Sequence, residues 1–299
     1  MLQQSNLPRK MTGPVHTSAG WRRFRRQASS KLADMYEAES KLAAQALNAG
    51  YSADDVIRNL DLDFAPASIT AVVGANGAGK SALLKALARK IKVSGGSVLL
   101  DGVSITSLSK AEVEGAIGFL GTIPATRNSE SVYDLVSRSA MLANQISRVS
   151  PRLKTQIDEI LTRTGLEALK KKKIGELSSG WRQVAVIAAA LVKEPQVLLL
   201  DEPTSSLDYS HQLQVINLLS SLKREKGMTI ITVIHDLNLA ARFADWVVVL
   251  KHGKVISQGT PKEVITPTTL ADGFNILARV IEDPVAKTPV VVPIRQLGD

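Results

Sequence analysis

Between residues 69 and 91 a β-branched apolar stretch runs straight into a glycine-rich turn and out into a helical pattern, an order that few folds accommodate. Ile69-Thr-Ala-Val-Val73 reads as a buried strand, and Leu83, Leu84, Leu87 and Ile91 recur at helical spacing. Between them, Gly74-Ala75-Asn76-Gly77-Ala78-Gly79-Lys80-Ser81 fits G-x-x-x-x-G-K-[ST] in the strand-to-helix context that gives this pattern physical meaning. Such a loop turns backbone N–H groups toward an anion, and its glycines let a polyphosphate approach the helix N-terminus. Lys80 would supply a cation to the β- and γ-phosphates, and the Ser81 hydroxyl a ligand for Mg2+. Gly74 to Ser81, with the adjoining Ala82, is therefore the expected nucleotide-contacting segment, and ATP with Mg2+ the expected ligand.

A phosphate cradle of this kind needs a carboxylate at the tip of a neighbouring strand to hold the metal or its water shell. Val197-Leu-Leu-Leu200 is a near-continuous apolar run ending in Asp201-Glu202. Asp201 is the expected metal residue, and Glu202 the general base that orients and deprotonates an attacking water. A helix-capping turn would account for one acid before Pro203, but not for paired carboxylates at the carboxyl end of a buried strand. Thr229 to Ile234 forms a third such run, and His235 follows it, where it could contact a γ-phosphate and help hold the water.

The remaining composition narrows the class. With 299 residues and 44% apolar content the chain can bury a large core. The longest apolar run, the nine residues from Val184 to Val192, falls well short of the roughly 18 that would span a bilayer. There is no cysteine, which excludes disulfides and thiolate metal sites and fits a reducing compartment. The net charge of +9 resembles a nucleic-acid signal until it is located: Arg9, Lys10, Arg22, Arg23, Arg25, Arg26 and Lys31 supply seven of those charges before the first acid. The body of the chain carries no strong bias, and no nucleic-acid partner is expected.

Residues 1–41 read as a basic extension, partly disordered, with a short helix near Ala33 to Leu47 and no apolar segment of the kind a signal peptide requires. Ser97–Leu100 and Val103–Ile105 around Asp101-Gly102, and Trp246–Leu250 and Lys254–Ser257 around His252-Gly253, read as hairpins forming an antiparallel layer beside a parallel core. From about Ser129 to Val192 the pattern is helical, and Lys170 to Lys173 reads as a solvated helix end.

With these motifs in place, the chain resembles the nucleotide-binding subunits of ABC transporters over about Leu42 to Phe274. The motif specific to that family, usually written LSGGQ, stands here as Leu177-Ser178-Ser179-Gly180-Trp181, and Ser206-Leu207-Asp208 matches the D-loop. The resemblance implies an α/β fold: a P-loop, RecA-like core with an antiparallel β layer and a helical subdomain at about 122–192, within a domain spanning 42–274 and followed by a tail at 275–299. It places Tyr51 where the family stacks an aromatic on adenine. It also implies a head-to-tail dimer, in which Ser178, Ser179, Gly180 and Asp208 of one copy close over ATP held by the other. Where the family carries a glutamine that contacts Mg2+ or its water, this chain has Thr122. Its oxygen could bind a metal-bound water, but the side chain is two bonds shorter, implying a weaker link between permease and hydrolysis. Ser179 replaces the first signature glycine, and Trp181 the usual glutamine.

Within that family, His235-Asp-Leu-Asn-Leu-Ala-Ala241 and the segment from Gly259 to Pro293 look most like importers of ferric siderophores, haem and vitamin B12. The implied function is ATP hydrolysis coupled to uptake of a ferric siderophore or related chelate. The implied partners are integral permease subunits, a substrate-binding protein and a second ATPase copy, at the cytoplasmic face of the inner membrane. Two other readings compete: a soluble ABC ATPase acting on ribosomes or DNA, and a weakly hydrolysing ATP-gated clamp. A single Walker A motif and the lack of sustained heptads argue against the first, and the presence of Glu202 and His235 against the second.

Overall fold

The computed structural model describes residues 40–298 apart from 52–53, 122–127, 145, 147 and 206. Its first element corrects an expectation. Leu42–Gly50 is a strand, β1, where the alanine-rich sequence predicts the end of a helix. Residues 33–39 of that predicted helix lie outside the described residues. β1 pairs antiparallel with β2 (Ile57–Phe64) on one side and β4 (Lys92–Leu100) on the other, and β5 (Val103–Ser104) completes the sheet in the order β2-β1-β4-β5. Leu42, Leu47, Ile57, Leu60, Leu62 and Phe64 are all buried. Removing such side chains from water is worth about 1.5–3 kcal/mol each, far more than alanine's helical advantage of a few tenths per residue.

The second sheet has the order β10-β9-β3-β8-β7-β6, formed by β3 (Ile69–Val73), β6 (Ile117–Leu120), β7 (Val197–Asp201), β8 (Thr229–Val233), β9 (Trp246–Lys251) and β10 (Lys254–Gly259). All neighbours are parallel except β9 and β10. β3 and β8 are buried at every residue and β7 at all but Asp201, the consequence of cover on both faces of a parallel sheet. The hairpin at Asp101-Gly102 lies in the antiparallel sheet as expected. The one at His252-Gly253 does not: β9 pairs parallel with β3, so that hairpin extends the core sheet instead.

Helices flank these strands: α1 (Lys80–Leu87), α2 (Lys110–Ala116), α3 (Val132–Asn144), α4 (Pro151–Arg163), α5 (Ser179–Leu191), α6 (Tyr209–Lys226), α7 (Leu237–Phe243), α8 (Pro261–Val264) and α9 (Pro267–Phe274). The helical region entered after β6 contains α3, α4 and α5. α4 starts where the Ser150 side chain accepts the Leu153 N–H and Pro151 takes the first turn. Leu153, Ile157 and Leu161 then line one face and join Val136, Val184 and Leu198 in a single core. Lys171 to Lys173 are exposed but Lys170 is half-buried, and the run follows a 3-10 turn at Glu167–Leu169 where the sequence predicts a helix end. The C-terminal segment forms a hairpin of β11 (Ile276–Glu282) and β12 (Pro289–Gln296). Asn238 of α7 ties it down, its amide donating to the Val291 carbonyl at 3.3 Å and accepting the Val291 N–H at 2.7 Å.

Parallel strands deliver their carboxyl ends to one edge. β3, β8 and β7 are adjacent, so the glycine loop, His235 and the Asp201-Glu202 pair emerge side by side.

Candidate nucleotide site

The loop from Gly74 to Gly79 joins β3 to α1, and its glycines are where the backbone requires them. Gly77 and Gly79 have φ of 78° and 101°, a region that L side chains rarely adopt. A methyl at Gly74 would lie 2.3 Å from the Leu250 carbonyl oxygen of β9. Ala75, Asn76 and Gly77 are exposed, and Ala78 and Ala82 are buried. Gly79 caps α1 with no side-chain hydrogen bond, and the first turn holds no acid, so its N–H groups remain available to an anion. The buried Lys80 donates to the carbonyls of Gly74 and Ala75 at 2.8 and 2.9 Å, which brings its ammonium back over the loop.

Ser81 donates its hydroxyl hydrogen bond to Asp201 Oδ1 at 2.9 Å, joining the start of α1 to the end of β7. Burial pushes the Asp201 carboxyl above the ordinary aspartate value; the Ser81 hydrogen bond opposes the rise and the neighbouring Glu202 charge adds to it. Burial likewise lowers the Lys80 ammonium, against the pull of Glu202 and Asp201. A hydroxyl and one carboxylate within reach of a phosphate cradle form a hard-oxygen set of the kind Mg2+ takes when phosphates and water fill the rest of its shell.

One residue on, Glu202 has φ of 54°, a left-handed conformation that costs a non-glycine residue about 1–3 kcal/mol and persists only where its surroundings impose it. Its carbonyl accepts from the Ser205 side chain at 3.2 Å. Its carboxylate meets His235 across the strand tips, with Nε2 2.6 Å from Oε1. Both side chains are part exposed, at 40% for His235 and 38% for Glu202, so the pair is reachable by solvent and substrate. A base held beside a second polar group at the edge of a phosphate cradle is an arrangement suited to activating water.

Tyr51 is exposed directly after the end of β1, and the Lys85 ammonium of α1 stands 5.1 Å from its ring centroid. Thr122 lies outside the described residues. Ser178 caps α5 by accepting the Trp181 N–H at 3.4 Å; Ser178 and Ser179 are exposed, whereas Gly180 is buried. Asp208 caps α6 by accepting the His211 N–H at 2.9 Å. Trp181 packs its ring edge-on against His211. The glycine loop, Asp201, Glu202 and His235 thus lie together, while Gly180, Trp181 and Asp208 meet at His211.

Sequence reasoning gave no role to Lys85 or His211 and read Gly253 only as the turn of a hairpin. No local pattern marks the first two. Gly253 is a turn glycine whose N–H donates to the Ala78 carbonyl at 2.9 Å and whose carbonyl accepts from Arg58 N–H at 3.2 Å. It therefore stitches the glycine loop to β2, and the His252-Gly253 turn is the sequence signal that marks it.

The ABC transporter family profile matches residues 57–205. The ferric enterobactin transport ATP-binding protein FepC of Escherichia coli (strain K12) is 38% identical over 261 residues, 87% of this chain and 96% of that protein. The iron(3+)-hydroxamate import ATP-binding protein FhuC of Bacillus subtilis (strain 168) is 36% identical over 84% of this chain and 94% of its own. The dimeric structure of MJ0796, a bacterial ABC transporter cassette, superposes with a TM-score of 0.64 at 25% identity, covering 73% of this chain and 98% of that one.

Proposed function

Because this chain belongs to the ABC transporter family and is an ATPase of its transport machinery, we propose that it powers uptake of a ferric siderophore or similar metal chelate through a separate membrane permease. One arrangement carries the reading: the Gly74–Gly79 cradle, the Ser81–Asp201 contact and the Glu202–His235 pair share one sheet edge. The chelate is suggested by FepC and FhuC, matched here over nearly their whole length.

In this reading the N–H groups of Gly74 to Ser81 and the Lys80 ammonium hold the β- and γ-phosphates, Ala82 lies behind them, and Tyr51 stacks on adenine. Ser81 and Asp201 would hold Mg2+, with Thr122 reaching a metal-bound water; when bound, the ion neutralises charge developing on the phosphates. Glu202 takes a proton from the attacking water, and His235 holds Glu202 and contacts the γ-phosphate. A second copy of the chain, paired head to tail, presents Ser178, Ser179, Gly180 and Asp208 to the same ATP. Closure on ATP and reopening after phosphate release supply the mechanical stroke.

The domain spans 42–274 and its helical part, at about 122–192, faces the permease. Between β6 and that part lies a groove lined by apolar Phe119, Leu135, Leu142 and Val186 and by charged Glu114, Arg138 and Lys193, a mixed surface on which a permease helix would dock. No helix of the described residues is long and apolar enough to cross a membrane. In this reading the chain is held at the cytoplasmic face through its contact with the permease. A substrate-binding protein delivers the chelate on the opposite side. Uptake of radiolabelled iron, supplied as ferric catecholate, ferric hydroxamate or haem to cells lacking this chain, tests the cargo. Restoration of siderophore uptake by wild type and not by Glu202→Gln is the predicted result; unchanged uptake of every chelate in cells lacking the chain contradicts it.

A further inference from the structure

His211 occupies the junction of two segments that lie far apart in the sequence. Its backbone N–H donates to Asp208 Oδ1 at 2.9 Å, which caps α6. The imidazole makes a second contact that capping does not need: Nδ1 lies 2.9 and 3.0 Å from the two Asp208 oxygens. The same ring presses on the start of α5. A methyl at Gly180 would sit 2.3 Å from Cδ2 and 2.4 Å from Cγ, so only glycine admits the imidazole there. The Trp181 indole closes the other side edge-on, with centroids 6.0 Å apart and planes at 86°.

The Asp208 contact adds little stability of its own, since the Asp208 side chain is 67% exposed and a polar pair so placed contributes little. What the ring does is geometric: it fixes the Asp208 carboxylate relative to the Ser178–Gly180 turn. We propose that His211 is a positioning residue that makes Asp208 and the Ser178–Gly180 turn one rigid unit, so that both reach the nucleotide of a second copy of this chain together. This rests on the head-to-tail reading above. A chain without the link could present either group, but would pay separately in ordering each one as the dimer closes. The inference also assigns a role to Trp181, the last residue of the Leu177–Trp181 segment: it is the wall that keeps the ring in place.

The test uses the full chain with its permease in lipid. His211→Asn keeps an amide N–H at the Nδ1 position and removes the ring; His211→Phe keeps the ring against Gly180 and Trp181 and removes the donor. Each should lower kcat about 5- to 100-fold, the range of ordinary coupling energies, while KM for MgATP and the affinity of the isolated chain for ATP stay near wild type. Combining His211→Phe with Asp208→Asn should lose no more than the worse single variant, because one link is removed twice. Wild-type kcat in both single variants, full additivity in the double variant, or a kcat loss matched by loss of ATP affinity in the isolated chain overturns the proposal. Absence of turnover in wild type itself sinks the transport reading first, and His211 with it.

Discussion

His235 Nε2 and Glu202 Oε1 lie 2.6 Å apart, although the two residues leave different strands of the core sheet. The contact exists because β7 and β8 are adjacent and parallel, and Glu202 makes it from a left-handed backbone. Replacing His235 with alanine removes the partner and leaves the phosphate cradle intact. Turnover should fall by about 100-fold, the lower end of what a general acid–base group contributes, with little change in KM for ATP. Steady-state kinetics separate the two quantities, and a rise in KM with kcat preserved would contradict the assignment.

Asp201 gives a prediction about stability. Its carboxyl is raised by burial, so the folded chain holds that proton more tightly than the unfolded chain does. Stability contributed by this group is therefore present below the ordinary aspartate value and is lost as pH rises through the raised one. Asp201→Asn keeps an acceptor for Ser81 and removes the buried charge. It should melt higher than wild type at neutral pH, and the gap should close as pH falls below the ordinary aspartate range. The same variant should lose MgATP hydrolysis. Thermal melts at several pH values check the sign, and a variant that melts lower at neutral pH would contradict it.

Gly253 joins the glycine loop to β2 at a φ of 73°, and a methyl there would sit 1.8 Å from the Val56 carbonyl oxygen. Left-handed backbone costs an alanine about 1–2 kcal/mol before the clash is counted, so Gly253→Ala should destabilise by more than that. ATP affinity should weaken as well, because Ala78 loses its anchor. Denaturant titration and equilibrium binding read the two effects, and an unchanged midpoint would show that the turn relaxes freely.

Leu142 of α3 is 67% exposed and lies at the groove beside β6. Leu142→Glu should leave ATP hydrolysis by the isolated chain near wild type and abolish any stimulation by the permease, since a carboxylate would have to be buried on docking. Equal stimulation in the variant would place the permease elsewhere.

Much of this arrangement is legible in the sequence. β3, β7 and β8 are near-continuous apolar runs, and each ends at a residue of the site, so period and position agree. β1 was not legible, because Leu42-Ala-Ala-Gln-Ala-Leu reads as helix by propensity and becomes a strand only when β2 and β4 are present to pair with it. The second hairpin misleads for a similar reason: local turn chemistry identifies β9 and β10, but their sheet is decided by β3. His211 leaves no local signature at all, since its contacts with Gly180 and Trp181 arise only when α5 and α6 pack.

MgATP hydrolysis by the permease-bound chain in lipid, measured for wild type and for Glu202→Gln, tests the central claim most directly. Wild type should turn over and be stimulated by the permease. Glu202→Gln should bind ATP with similar affinity and hydrolyse it about 10²- to 10⁴-fold more slowly, the contribution of a positioned general base. Equal turnover in the two proteins, or none in wild type despite tight ATP binding, would contradict the account of this chain as a transport motor that uses Glu202 as its base.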